Sequence, residues 1–397
     1  MSVIRPKPPA DPISYAPGCQ LAAGAMGGHD GGEAALDRAR RDVQDDAACR
    51  QPEQLLAAYN TGGGRRTSEL FAILQAARHV RDAIDRVVIP GDDLGTLGGR
   101  AVFESCAHPR HNDLSRGDRG GRPRLLYAGA ALGNDGLQAI LDLVAPCGGR
   151  SADDLLDAWG VLAVGSGSAN GFAATATRLL CERLADGTLG AERLRERACF
   201  VAAAGDWLAD QAAACDCRVR FDALPGLGAA AVFSAAGLLP ASIAGIDVVR
   251  LLEGAAALLR RFREAPVAEN PVLRHVAAIR GAAAAVGGGD VACRLVAAVD
   301  QLAAACAWHD RLDAERRRGG RKSAPVPGQG EPQAVERCLV VRVTVDAPRR
   351  EPLPLPGPPA FPGAAPVITL PRVDEHAIGQ LLALFIVADR MLRRLGD

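Results

Sequence analysis

Lysine is almost missing: Lys7 and Lys322 are the only two in 397 residues, so arginine carries nearly all the positive charge. We read this bias as genomic base composition rather than as a binding signal. Net charge is missing too, because Lys+Arg and Asp+Glu both number 46. A zero balance gives no general pull toward phosphate backbones or acidic lipid surfaces, so neither nucleic acid nor membrane is an expected partner. Aromatics are only 4% of the chain while hydrophobic residues reach 48%, so a core must be packed from Ala, Leu and Val. No apolar run reaches the roughly 20 residues that span a bilayer. Arg or Asp interrupts each candidate, and with no signal peptide ahead of them a cytoplasmic location is expected.

Cysteine is present, but in no pattern that makes a scaffold. Eleven is an odd count, the spacing is scattered, and most thiols stand in apolar runs, as Cys181 and Cys293 do. Such thiols behave as small hydrophobes. Cys215 and Cys217 flank a single residue, but a metal site would want a second pair at suitable spacing and none follows. No metal and no organic cofactor is expected.

The chain alternates between two periodicities. Apolar residues recur at helical spacing from Thr67 to Asp85, followed by the short β-branched run Val87-Val88-Ile89, which ends at Pro90-Gly91. The pattern repeats. Helices are expected at Leu97–Cys106, Leu137–Val144 and Phe172–Leu184. Strands are expected at Leu125–Tyr127, Val161–Val164 and Cys199–Val201. Strands that alternate with helices and end in Gly or Ser imply βαβ units and a parallel sheet. Ligands bind such sheets beyond the carboxyl ends of the strands, so the turns to watch are 90–99, 128–135 and 165–171.

Further on, Ala235 to Phe262 reads as a long helix broken at Pro240, and Val272 to Val286 as another helix. Val291–Val296, Leu339–Val345 and Val367–Leu370 read as strands, and Asp374 caps a closing helix to Leu395. The expected organisation is an irregular arm over 1–60 with one helix near 34–48, a first α/β domain over 61–225, and a second over 226–397 that contains a Pro-rich loop at 346–366.

Three blocks resemble glucose-6-phosphate isomerase of a bacterial type. The first is Phe103-Glu104-Ser105-Cys106 with His108-Pro109-Arg110-His111-Asn112. The second runs from Gly237-Leu238-Leu239-Pro240-Ala241 through Ala244-Gly245-Ile246-Asp247 to Leu251-Leu252-Glu253-Gly254-Ala255. The third is Asp374-Glu375 through Leu381-Leu382. Order and spacing agree from about residue 65 to 395.

The resemblance implies an α/β fold of two sugar-isomerase (SIS) domains, each a parallel sheet flanked by helices. It also implies a homodimer with the active site shared between subunits, and a hexose phosphate as the bound partner. The reaction would interconvert glucose 6-phosphate and fructose 6-phosphate, a step of glycolysis and gluconeogenesis. In the family, Gly/Ser/Thr turns hold the phosphate, a basic residue opens the ring, a Glu moves a proton between C2 and C1, and an Arg stabilises the developing charge.

Carried over position by position, the resemblance puts Glu315 at the base, after Trp308, Asp310 and Leu312. The next residues are Arg316-Arg317-Arg318-Gly319, so a solvated Glu-Arg helix end is the competing reading of Glu315. The substrate-binding candidates are Gly91 and Gly95, which bracket Asp92-Asp93-Leu94, and Gly165-Ser166-Gly167-Ser168. Two carboxylates in the first turn would repel a phosphate dianion, whereas the second turn is equally suited to an anion nest and to a plain strand-to-helix turn.

Other positions depart from the family. Ala229 stands where the family has its arginine, Glu331 falls near the ring-opening histidine, and the last catalytic lysine has no counterpart before Asp397. His108 and His111 are scaffold in this resemblance. The expected outcome is an isomerase homologue with activity impaired or lost. The alternatives are a non-catalytic sugar-phosphate-binding or regulatory protein, and a homologue that has kept only its structure.

Overall fold

The computed structural model describes residues 11–16, 30–91, 93–129, 133–146, 151, 153–165, 169, 171–223, 228–288, 290–317, 338–349 and 365–396. In chain order the first elements are β1 (Ser14–Ala16), α1 (Asp30–Val43), α2 (Ala47–Asn60), α3 (Glu69–Ala83), β2 (Arg86–Pro90), α4 (Asp93–Cys106) and β3 (Arg124–Gly129). They are followed by α5 (Asn134–Val144), β4 (Trp159–Val164), α6 (Phe172–Leu184), α7 (Gly190–Arg197), β5 (Ala198–Ala202), α8 (Trp207–Ala214) and β6 (Val219–Asp222). After a 3-10 turn at Gly228–Phe233 come α9 (Ala235–Ile243), α10 (Val248–Glu264), α11 (Pro271–Ala285), β7 (Ala292–Ala297), α12 (Ala303–Arg317), β8 (Cys338–Ala347), β9 (Val367–Arg372) and α13 (Glu375–Gly396).

The chain divides into two compact units that interleave along the sequence. One comprises Gln54–Val248 and Gln301–Glu336; the other comprises Met1–Glu53, Val249–Asp300 and Arg337–Asp397. The consecutive segments expected from the sequence differ from this partition. α12 folds with the first unit although it follows β7, and the amino-terminal residues fold with the second.

In the first unit a five-stranded sheet runs β3-β2-β4-β5-β6, every pairing parallel. The central strand β4 is buried along its whole length, which explains its unbroken apolar run. Val161, Ala163, Phe200, Leu180 and Leu184 pack together on one face. α3 begins where Ser68 Oγ accepts the N–H of Phe71 at 3.3 Å. Neither α7 nor the edge strand β6 is evident in the sequence, because Val219 to Asp222 alternates in burial and is short.

The second unit has a four-stranded sheet, β1-β9-β8-β7, parallel except for the antiparallel edge β1. Residues 11–16 are therefore tied into this sheet and are not part of an irregular arm. Ile13 donates its N–H to Gln380 Oε1 at 3.2 Å, its carbonyl accepts from Arg261 at 2.8 Å, and Tyr15 is buried against the edge of His275. α1 and α2 replace the single helix expected there, and they bury Leu36, Ala39, Val43, Leu55 and Leu56. Dense charge on α1 and a proline, Pro52, inside α2 hide these buried positions from a simple reading.

The expected long helix divides at Gly245, not at Pro240, which lies inside α9. Asp374 caps α13 as expected, its Oδ1 accepting from Ala377 N at 2.9 Å. Most of the Pro-rich loop lies outside the described residues. Among the described residues no helix is long and apolar enough to cross a membrane.

Candidate functional site

Strand order fixes where a cleft can open. After β2 the chain first crosses to β3 on one side and then to β4 on the other, so the switch point lies between the carboxyl ends of β2 and β4. Gly91, Gly95 and Gly165 meet there. Gly91 forms a bridge with Val164. A Cβ on Gly91 would stand 2.7 Å from the Val164 carbonyl oxygen, and one on Gly95 would stand 2.8 Å from Gly165 Cα. Only glycine allows backbones this close, so Gly91 and Gly95 lie backbone against backbone with Val164 and Gly165. Ser166, Gly167 and Ser168 lie outside the described residues, as does Asp92; the side chains of Asp93 and Leu94 are likewise not described.

Glu315 reaches a different part of the same unit. Trp308, Leu312 and Glu315 share one face of α12, at i, i+4 and i+7. Trp308 and Leu312 are buried. Trp308 Nε1 donates to the Ala229 carbonyl at 2.7 Å, and Ala229 N–H donates to Glu315 Oε2 at 3.3 Å. Gly228 precedes it at φ +50°, and a Cβ there would run into the Glu315 carboxylate. Arg311 Nε lies 3.8 Å from Glu315 Oε1, one turn back along the helix.

The Glu315 side chain is only 23% exposed, so it is not the open helix end that three following arginines suggest. Arg316 and Arg317 turn instead to Asp313, at 2.7 and 3.0 Å. Arg311 was not singled out in the sequence; its signal there is the i, i+4 spacing to Glu315.

Ala229, expected from the resemblance at the family's arginine position, is buried and held through its backbone. Glu331 lies outside the described residues.

The blocks that carry the sequence resemblance are framework. In the first, Asn112 pairs with the outer edge of β3 as a strand would: its Nδ2 donates to Leu125 O at 2.8 Å and its Oδ1 accepts from Leu125 N at 3.1 Å. His111 is buried edge-on to Phe103, with Nε2 3.0 Å from the Pro123 carbonyl oxygen. Burial holds its pKa below the usual imidazole value. Behind it, Asp85 takes Arg119 at 2.6 Å, Arg124 at 2.6 Å and Arg116 at 2.9 Å.

In the second block, every residue of α9 is buried. Pro240 rests where a Cβ on Gly99 would come within 2.8 Å of its Cγ, so α4 packs directly on the bend. A separate cavity of about 400 Å³, lined by Leu141, Val144, Trp159, Leu184 and Arg183, sits where β4 begins. It is at the opposite end of the strand from the glycine turns.

No protein-family profile matches the chain. The glucose-6-phosphate isomerase of Symbiobacterium thermophilum is 30% identical over 211 residues, covering 53% of this chain and 44% of that protein. The chain thus matches less than half the length of this curated relative. A hypothetical protein of Thermus thermophilus superposes with a TM-score of 0.69 at 16% identity, over 96% of this chain and 94% of that one. A glucose-6-phosphate isomerase of Chlamydia trachomatis gives 0.61 at 12% identity, over 92% and 81%. At these identities the two structures speak for the fold alone. Parallel sheets flanked by helices give the chain the fold of these two structures, and over about half its length its sequence is similar to glucose-6-phosphate isomerases.

Proposed function

We propose that this protein is a divergent, hexose-phosphate-binding member of the glucose-6-phosphate isomerase family in which interconversion of glucose 6-phosphate and fructose 6-phosphate is weak or absent. The observation that carries this reading is the environment of Glu315. In the family reaction, a Glu moves a proton between C2 and C1 while an arginine stabilises the enediolate. Here the candidate base is held on the backbone of Ala229, and Ala229 itself is the residue aligned with that arginine. A methyl group donates no hydrogen bond, and losing one such donor costs about 10²–10³ in rate. The glycine turns at the β2/β4 switch point support retention of a phosphate-binding surface, to which Ser166 and Ser168 would add hydroxyls. No metal or organic cofactor enters this chemistry. A homodimer is part of the same reading.

A thermal-shift titration with fructose 6-phosphate tests the binding half, because a ligand that binds only the folded state raises Tm. We expect a saturable rise, with inorganic phosphate giving a smaller one. No shift at millimolar sugar phosphate would overturn the proposal in favour of a homologue that has kept only its structure.

A further inference from the structure

The cavity at the amino end of β4 takes no part in the chemistry of Glu315 or the glycine turns. Its walls follow from the way helices return in a parallel sheet. α5 joins β3 to β4 and α6 joins β4 to β5, so both helices run back and end at the amino edge of the sheet. Leu141 and Val144 come from the last turn of α5, Leu184 ends α6, and Trp159 opens β4. Val144, Trp159 and Leu184 belong to the buried core, with Leu141 packed against it, so the floor is apolar and fixed by the fold.

α7 closes one side. Arg193 and Arg197 stand one turn apart on it and both reach Asp153, in the turn before β4. Arg193 makes two bonds of 2.8 Å to that carboxylate and Arg197 makes one of 2.8 Å. Arg193 also donates to the Asp186 carbonyl at 3.0 Å. These two guanidinium groups are committed to holding the wall. On the facing wall, Asp142 accepts from Gln138 at 3.2 Å.

Arg183 is held more loosely. It meets Asp186 at 3.5 Å, with both side chains more than half exposed, and solvent makes such a pair weak. Its charge can therefore turn to an anion in the mouth of the cavity at little cost.

The surroundings are apolar as well. Seven large hydrophobics are well exposed among the described residues, and four of them stand at this end of the first unit: Leu143, Leu155, Leu156 and Leu189. Arg86 donates to the carbonyls of Leu143 and Leu156 at 2.9 and 3.2 Å, so the end of α5 and the turn before β4 lie side by side. Apolar residues gathered around a cavity mark a binding surface. The volume of about 400 Å³ falls in the range, roughly 300–1,000 Å³, of small-ligand pockets.

We propose that this cavity binds a small amphipathic anion, its apolar body on Leu141, Val144, Trp159 and Leu184 and its single anionic head on Arg183. The site is separate from the glycine turns, which lie at the other end of β4, and it does not depend on what they bind.

The test titrates the full chain with the fluorescent anion anilinonaphthalene sulfonate, and with phenylnaphthylamine as a probe of similar body and no charge. The expected result is saturable binding of the anion at one site per chain. Leu141→Trp should fill the cavity and abolish it; Leu141 is only partly buried, so the core stays in place. Arg183→Ala, at an exposed position, should weaken the anion about fivefold and leave the neutral probe unchanged. Excess fructose 6-phosphate should displace neither probe. Absence of saturable binding, binding that survives Leu141→Trp, an equal effect of Arg183→Ala on both probes, or displacement by fructose 6-phosphate would each overturn the proposal.

Discussion

Glu315 accepts the backbone N–H of Ala229 at 3.3 Å, seven residues along the helix from the Trp308 that holds the carbonyl of the same alanine. Both peptide groups of one residue are therefore fixed by one helix face, and Gly228 must adopt φ +50° to permit it. Gly228→Ala combines a disfavoured backbone with a collision against the carboxylate, and should cost about 1–3 kcal/mol. Glu315→Gln keeps an acceptor of the same shape and should cost under about 1 kcal/mol. Urea unfolding of the two variants checks this order; a Gly228→Ala loss no greater than that of Glu315→Gln would contradict the clasp.

Asp85 is buried beneath three guanidinium groups, with Arg119 equally buried beside it. Its removal leaves cations in a low-dielectric site without their counter-charge. Asp85→Asn should lower stability by about 3–5 kcal/mol. Asp153→Asn breaks a comparable arginine clamp at the surface and should cost far less, because solvent screens it. Thermal unfolding of both variants measures the contrast, and equal shifts in Tm would show that burial is not what makes Asp85 matter.

His111 gives a pH signature. Burial lowers its folded pKa from the ordinary value of 6.5, so the unfolded chain takes up the proton first as the solution is acidified. The contribution is complete above about pH 6.5 and is lost as pH falls below it toward the folded pKa. His111→Asn should reduce stability at pH 7.5 and make the decline below about pH 6.5 shallower than in wild type. Denaturant midpoints at a series of pH values show this, and an unchanged slope would place the proton elsewhere.

Most of the fold was legible because strand and helix periods alternate cleanly from Thr67 to Val201, with glycine at the strand ends. What escaped was short, charged or non-local. β6 is a four-residue edge strand. Ser14–Ala16 becomes a strand only because β9 lies beside it. The break after α9 falls at Gly245 because Pro240 can bend within a helix that Gly99 lets α4 approach.

The site was legible in part. Gly91, Gly95 and Gly165 follow from the rule that parallel sheets bind ligands at the carboxyl ends of their strands. The inward turn of Glu315 does not. Neighbouring arginines argue for solvent, and only the shared face with Trp308 and Leu312 argues for burial.

The central proposal is that a fold like that of the sugar isomerases has kept its frame and lost most of its chemistry. The most direct measurement is turnover of fructose 6-phosphate to glucose 6-phosphate by the purified full chain, with Glu315→Gln as the control. The account predicts a wild-type rate at least about 10²-fold below the ordinary enzymatic range of roughly 1–10³ per second. A wild-type rate inside that range, abolished by Glu315→Gln, would contradict it.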